Sequence, residues 1–172
     1  MTNRGNGFVV ALLVLALDQL TKWFVTGPLG LNSVGAQKVL LPIFNFTYVE
    51  NNGISLNLFN ATTSTGRWML VAVTSAIAIA VAVWIVREKN RMDQIALGMV
   101  LGGALGNILD RARHGYVVDF ADLHFGAFRP FLVFNVSDAA ISIGVALLLL
   151  RAFLNRKDEP DGVRAKETID HA

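Results

Sequence analysis

The chain has 172 residues, 53% of them hydrophobic and only 16% charged, with a formal net charge of +2. That composition belongs to a membrane protein of one domain or a small bundle of spans, and the weak, scattered positive charge excludes a nucleic-acid surface. The lack of cysteine excludes disulfides, thiolate metal sites, a cysteine nucleophile and lipidation on cysteine, leaving chemistry to Asp, Glu, His, Ser, Lys or Arg.

The first apolar stretch, 8–25, is interrupted only by Asp18, Gln19, Thr21 and Lys22 near its far end. At about 1.5 Å rise per residue, roughly 18 residues come close to crossing a hydrocarbon core about 30 Å thick. Arg4 precedes this stretch as in a signal peptide, but the run continues into DQLTKWF with no A-x-A-like site. An uncleaved first span is therefore expected. Asp18 and Lys22 stand four apart and share a helix face, so two readings stay open: a simple ion pair, or contact with substrate or the catalytic loop.

The segment 27–67 lies outside the membrane in this reading. Its VLLPIFNFTYVE alternates aliphatic and aromatic residues up to the turn signal Asn51-Asn52-Gly53, which suggests a small sheet. The next spans are expected at 68–86, which is free of charge, and at 94–109. The latter holds Gly98, Gly102, Gly103 and Gly106, whose four-residue spacings favour close helix packing and nothing more. A second external loop, 110–130, leads to the fourth span, 131–150, charged only at Asp138. The fold class expected is thus mainly α and integral to the membrane, with four transmembrane helices and a small extracytoplasmic β-rich segment between spans one and two. Residues 1–154 form a single domain, followed by a polar tail at 155–172 read as disordered.

Arg4, the REKNR loop at 87–91, Arg151, Arg156 and Lys157 fall on one side; Lys38, Arg67, Arg111, Arg113 and Arg129 fall on the other. The bias places both termini in the cytoplasm, with Trp23 and Trp68 near the outer interface and Trp84 near the inner one.

Two carboxylates stand out at the outer face. Asp138 follows Asn135 by three residues, which taken alone describes a capped helix start with an acid at the positive end of the dipole. Asp119 sits in the apolar run GYVVDFADLHF, where burial would raise its pKa. The two lie at the same membrane depth and can meet. A carboxylate pair sharing a proton splits into a base and an acid, which is what an aspartic peptidase needs. Asp119, Asp122 and His124 raise a metal reading, but no ligand pair stands at fixed helical spacing. Ser137 and Lys22 are formal nucleophile candidates, although a hydroxyl beside Asp138 is more economically a helix-start hydrogen bonder.

The blocks DQLTK at 18–22, NNGISL at 51–56, GGALGNILDR at 102–111, GYVVDF at 115–120 and FNVSDAAI at 134–141 together resemble the lipoprotein signal peptidases, bacterial signal peptidase II. The resemblance runs from the first span to the last in the family's order. It implies an inner-membrane aspartic endopeptidase that removes the signal peptide of prolipoproteins just before the diacylglyceryl-modified cysteine, with the active site near the periplasmic face. It implies no metal and no organic cofactor. By motif, Asp119 and Asp138 look like the catalytic pair, and Asp18, Lys22, Asn52, Gly53, Asn107, Arg111 and Asn135 look like substrate-site or supporting residues. The stretch Ile54-Ser55-Leu56-Asn57 departs from the family's usual small residue, Phe and Gly.

The expected partners are prolipoproteins and membrane lipid, with the enzyme acting as a monomer, and the 27–67 segment is expected to lie over the interface as a lid or cradle. The rival from another class, a small dimeric proton-coupled four-helix transporter, wants a midplane carboxylate and discontinuous helices, whereas the aspartates here cluster at the outer ends. A non-catalytic scaffold would leave the Asp pair replaceable by Asn.

Overall fold

The structure is a computed structural model in which residues 5–53 and 63–157 are described. Arg4, the Ile54–Asn57 stretch and tail residues 158–172 lie outside the described residues. Four helices are long and apolar enough to cross a membrane. They are α1 (Asn6–Thr26), α2 (Ser64–Arg87), α3 (Arg91–His114) and α4 (Val136–Lys157). Strands β1 (Gln37–Leu41) and β2 (Phe44–Asn51) connect α1 to α2, and β3 (Val117–Leu123) lies between α3 and α4.

The chain passes up α1, down α2, up α3 and down α4, so α1 and α3 finish, and α2 and α4 begin, at the end that carries the sheet. α3 is the axis of the bundle: 44% of its most apolar window is buried, against 11% for α2. Its glycines explain this position. A Cβ at Gly98 or Gly102 would run into the backbone of α1 at Gly7 and Ala11, and one at Gly103 into the carbonyl of Ser137 on α4. Small residues on two faces of one helix thus admit a neighbour on each side.

α3 is longer at both ends than the uncharged run that announced it. Asn90 caps its start, its side chain accepting from the N–H of Met92 at 2.9 Å and of Asp93 at 3.4 Å. At the other end Gly115, at φ +94°, takes the left-handed conformation and donates its N–H to the Arg111 carbonyl, turning the chain from α3 directly into β3. α4 begins at Val136, later than the expected onset at 131. Phe134 is instead held in a bridge to Ala121 of β3, and Asn135 starts the helix. Helix α4 then runs to Lys157, through the start of the expected tail.

The sheet has the order β1-β2-β3, all antiparallel. The sheet expected within 27–67 is present as the β1–β2 hairpin, but its third strand comes from the loop between α3 and α4. No turn signal marks that strand as a partner of the hairpin. It is nearly all buried, and Val118 and Phe120 pack with Val25, Leu31 and Tyr48. Because strand side chains alternate, Asp119 between them faces the other way, toward α3 and α4.

Overfilling the α1–α3 contact tests this packing. Gly102→Ala should lower stability by about 1–3 kcal/mol, because the new methyl meets the backbone of Ala11 and Val14 Cβ. Gly5→Ala, where nothing lies within 4 Å, should be neutral. Equal unfolding curves for the two variants in mild detergent would contradict the close approach.

Candidate active site

The sheet end of the bundle buries an unusual number of polar groups: Asp18, Lys22, Asp110, Asp119, Asn135 and Ser137 are all 5% exposed or less. They form two connected layers. The lower layer centres on Lys22, whose Nζ lies 2.8 Å from Asp18 Oδ2 and 2.8 Å from Asp110 Oδ2. Each carboxylate also grips a backbone. Asp18 Oδ1 accepts the N–H of Ser137 at 3.0 Å, and Asp110 Oδ2 accepts the N–H of Val118 at 3.1 Å. Gln19 adds a bond to Asp110 Oδ1 at 3.0 Å. Gly106 makes the room, since a Cβ there would collide with the Asp18 carboxylate and the Ser137 hydroxyl. The i, i+4 ion pair read from the sequence is therefore present, but it is half of a three-membered cluster. Asp110 is the member sequence reasoning missed, although it stands in GNILDR one turn beyond Gly106.

The upper layer holds the two predicted aspartates. Ser137 precedes Asp138 and Val118 precedes Asp119, so the lower layer anchors the neighbour of each. Asn135 joins the pair directly. Its Oδ1 accepts the N–H of Asp138 at 2.9 Å, and its own N–H donates to Asp138 Oδ2 at 3.3 Å, a reciprocal cap of α4. Its Nδ2 donates to Asp119 Oδ1 at 2.6 Å. The capping account of Asn135 and Asp138 and the paired-carboxylate account thus describe one arrangement.

Asn107 and Arg111, four apart on α3, face the same group. Asn107 Nδ2 donates to Asp138 Oδ1 at 2.9 Å. Arg111 sits within electrostatic reach of Asp138, Asp119 and Asp110, and its buried Nε has no hydrogen-bond partner among the described residues. Gly53, at φ +74°, brings the end of β2 against Arg111 and Leu70, where a Cβ would crowd. Asn52 donates weakly to the Glu50 carbonyl at 3.5 Å; it is Asn51 whose Nδ2 reaches Asp119 Oδ2, at 2.9 Å. Asn51 Oδ1 also accepts the Gly53 N–H at 2.8 Å. That turn across two residues is the local signal that distinguishes Asn51 from its neighbour.

Burial, and then the charge of Asp138, push the Asp119 carboxyl up to about 7 against the lowering hydrogen bonds of Asn51 and Asn135. An unfolded Asp releases its proton near 3.8, so the native state binds the extra proton between that value and about 7. The resulting stability is full below 3.8 and is lost as pH rises through about 7. Asp122, three residues along the same strand, shows the opposite balance. Burial would raise it, but bonds from Arg129 and Thr47 hold it below the ordinary carboxylate range. His124 is paired with Asn45 at 2.8 Å, and among the described residues Asp119, Asp122 and His124 form no cluster with metal-binding geometry.

Replacing Lys22 with Met should cost about 3–5 kcal/mol, because two buried carboxylates lose their shared counter-charge. A loss below about 1 kcal/mol in detergent unfolding would mean that the pair is not held by Lys22.

A sequence profile described as signal peptidase (SPase) II matches residues 10–154. The chain is 58% identical over 86% of its length to the lipoprotein signal peptidase of Sphingopyxis alaskensis, of which 85% is covered. It is 51% identical to that of Rhizorhabdus wittichii, covering 90% of both chains. A solved bacterial membrane enzyme superposes with a TM-score of 0.77 at 26% identity, over 91% of this chain and 92% of the other. The fold is therefore that of the solved membrane enzyme, and the chain belongs to the signal peptidase II family.

Proposed function

We propose that the enzyme is an aspartic endopeptidase that cleaves prolipoproteins just before the diacylglyceryl-modified cysteine, with Asp119 and Asp138 as the catalytic pair. The observation that carries this reading is the single bridge through Asn135 between two carboxylates on separate elements, one of which is raised to about 7. Such a pair holds one proton at neutral pH and so offers a base and an acid together. Water between them loses a proton to the ionised partner and attacks the scissile carbonyl. The protonated partner stabilises the tetrahedral intermediate and then supplies a proton to the leaving amine. The pair titrates as a unit, so base and acid belong to the dyad rather than to one residue.

The surrounding groups have matching roles. Asn51, Asn107 and Asn135 fix the carboxylate oxygens by hydrogen bonds. Arg111, beside both carboxylates and with its Nε unpartnered among the described residues, orients the substrate carbonyl. Beside Asp138, Phe131, Phe134, Ala139 and Ile143 line an apolar recess of about 250 Å³. A recess of that kind suits an acyl chain arriving sideways from the bilayer while its peptide bond stays at the polar layer. In this reading the enzyme is a monomer of the bacterial inner membrane, both termini are cytoplasmic, the sheet end faces the periplasm, and the hairpin covers the interface as a cradle. Residues 1–154 act as one peptidase domain. Asp18, Lys22 and Asp110 position the pair, and Asn52 and Gly53 shape the turn that presents Asn51.

Cleavage of a diacylglyceryl-modified prolipoprotein by purified enzyme tests the assignment. Asp119→Asn and Asp138→Asn should each lose about 10²-fold or more of kcat while remaining folded. A chelator should leave the wild type unaffected. Retained cleavage in either variant removes that residue from the mechanism, and chelator sensitivity revives a metal. In the wild type, kcat/KM should fall on the alkaline side with an apparent pKa of about 7, as the shared proton leaves. A flat profile from pH 6 to about 9 would count against the raised Asp119.

A further inference from the structure

Behind the Lys22 cluster, on the side away from Asp119 and Asp138, lies a second polar cavity of about 460 Å³. Neither aspartate lines it, and it sits where α1 and α3 end against the sheet. Its floor is Lys22 and Asp110, and Lys22 divides its one charge between Asp110 and Asp18 behind it. Arg113 at its rim has no ion-pair partner among the described residues, and beside it His114 stacks against Tyr116 with ring centroids 5.9 Å apart. The hydroxyls of Tyr116 and Tyr48 meet at 3.2 Å. Burial, with Tyr116 and Glu50 adding to it, raises the Tyr48 hydroxyl well above its ordinary value, and Tyr48 donates to Glu50 Oε1 at 3.4 Å. The cavity therefore presents the Arg113 guanidinium, without an ion-pair partner among the described residues, together with an imidazole and the Tyr116 phenol, and its one lining carboxylate, Asp110, is held by Lys22.

The surface beneath the cavity is apolar. Trp23, at its mouth, is 64% exposed, and Leu12, Ala16 and Leu20 continue the same face of α1 away from the sheet, with Leu12 and Leu20 66% and 61% exposed. A polar, cation-rimmed recess at the end of a long apolar lane, with an amphipathic indole at the junction, has the shape and polarity of one lipid molecule. A free anion would use the recess but not the lane.

We infer that this cavity binds the phosphodiester head group of an anionic phospholipid from the leaflet at the sheet end, with the acyl chains lying along Leu12, Ala16, Leu20 and Trp23. Arg113 and His114 hold the phosphate, Tyr116 donates to it, and Trp23 marks the depth of the glycerol. The site is distinct from the apolar recess beside Asp138, so an occupant here does not compete for the proposed substrate path.

The test reads Trp23 as the sole tryptophan in a Trp68→Phe, Trp84→Phe enzyme, reconstituted in phosphatidylcholine nanodiscs. Phosphatidylglycerol or phosphatidylcholine carrying bromine on the upper acyl chain is then titrated in. Brominated phosphatidylglycerol should reach half-maximal quenching at about a fivefold lower mole fraction, the preference expected of one basic side chain at a membrane surface. Arg113→Gln with His114→Gln should bring the two curves together, and Arg113→Lys with His114 intact should restore most of the difference. Prolipoprotein cleavage at the wild-type rate shows that these variants are folded and that the effect is independent of the catalytic assignment. Coincident curves in the parent enzyme, or a preference that survives Arg113→Gln with His114→Gln, would overturn the site. Loss of the preference on adding inorganic phosphate would show a free-anion site and overturn the lipid assignment.

Discussion

The fold of the sheet end depends on one ammonium group. Lys22 stands between Asp18 and Asp110 at equal distance, and both carboxylates spend a second oxygen or lone pair on a backbone N–H of another element. A lone buried charge is costly in this setting, and water is scarce to correct it. Once Lys22 is satisfied, α1, α3, β3 and the first turn of α4 have their relative positions set by hydrogen-bond geometry, and geometry of that kind tolerates little displacement. Gly106 of α3 serves the same end, because a Cβ there would fill the space in which the Asp18 carboxylate meets the start of α4.

That interdependence explains what could be read from the sequence. Span number rests on runs of apolar residues, which are a local property. The two aspartates were visible because each violates its surroundings: Asp119 in an apolar strand, Asp138 at the mouth of a span. Asp110 violates nothing, since it reads as the polar end of a helix, and only the fold shows it buried against Lys22. The third strand was hidden for a related reason. Its partner β2 is far away in sequence, and VVDFADL carries no turn beside it to announce a hairpin. Asn51 and Asn52 differ by which side of a turn each faces, and composition carries no record of that.

Asp119 and Asp122 show how depth and neighbours together decide a titration, since burial is the largest influence on Asp119 and hydrogen bonds outweigh it at Asp122. Both are almost fully buried, on one strand, three residues apart. Asp122 meets a guanidinium and a hydroxyl and keeps its charge; Asp119 meets two neutral amides and a second carboxylate and holds its proton to about neutrality. The strand thus supplies one carboxylate held charged and one held protonated from the same residue type.

The cap of α4 has a consequence for when the enzyme can act. Asn135 orients Asp138 only by starting that helix, and it reaches Asp119 with the same side chain. The proposed dyad therefore exists only once the last span has wound its first turn against β3. On that reading, a chain still threading into the bilayer, with its fourth span uninserted, has both aspartates but no dyad, and latency during biogenesis follows from the order of assembly.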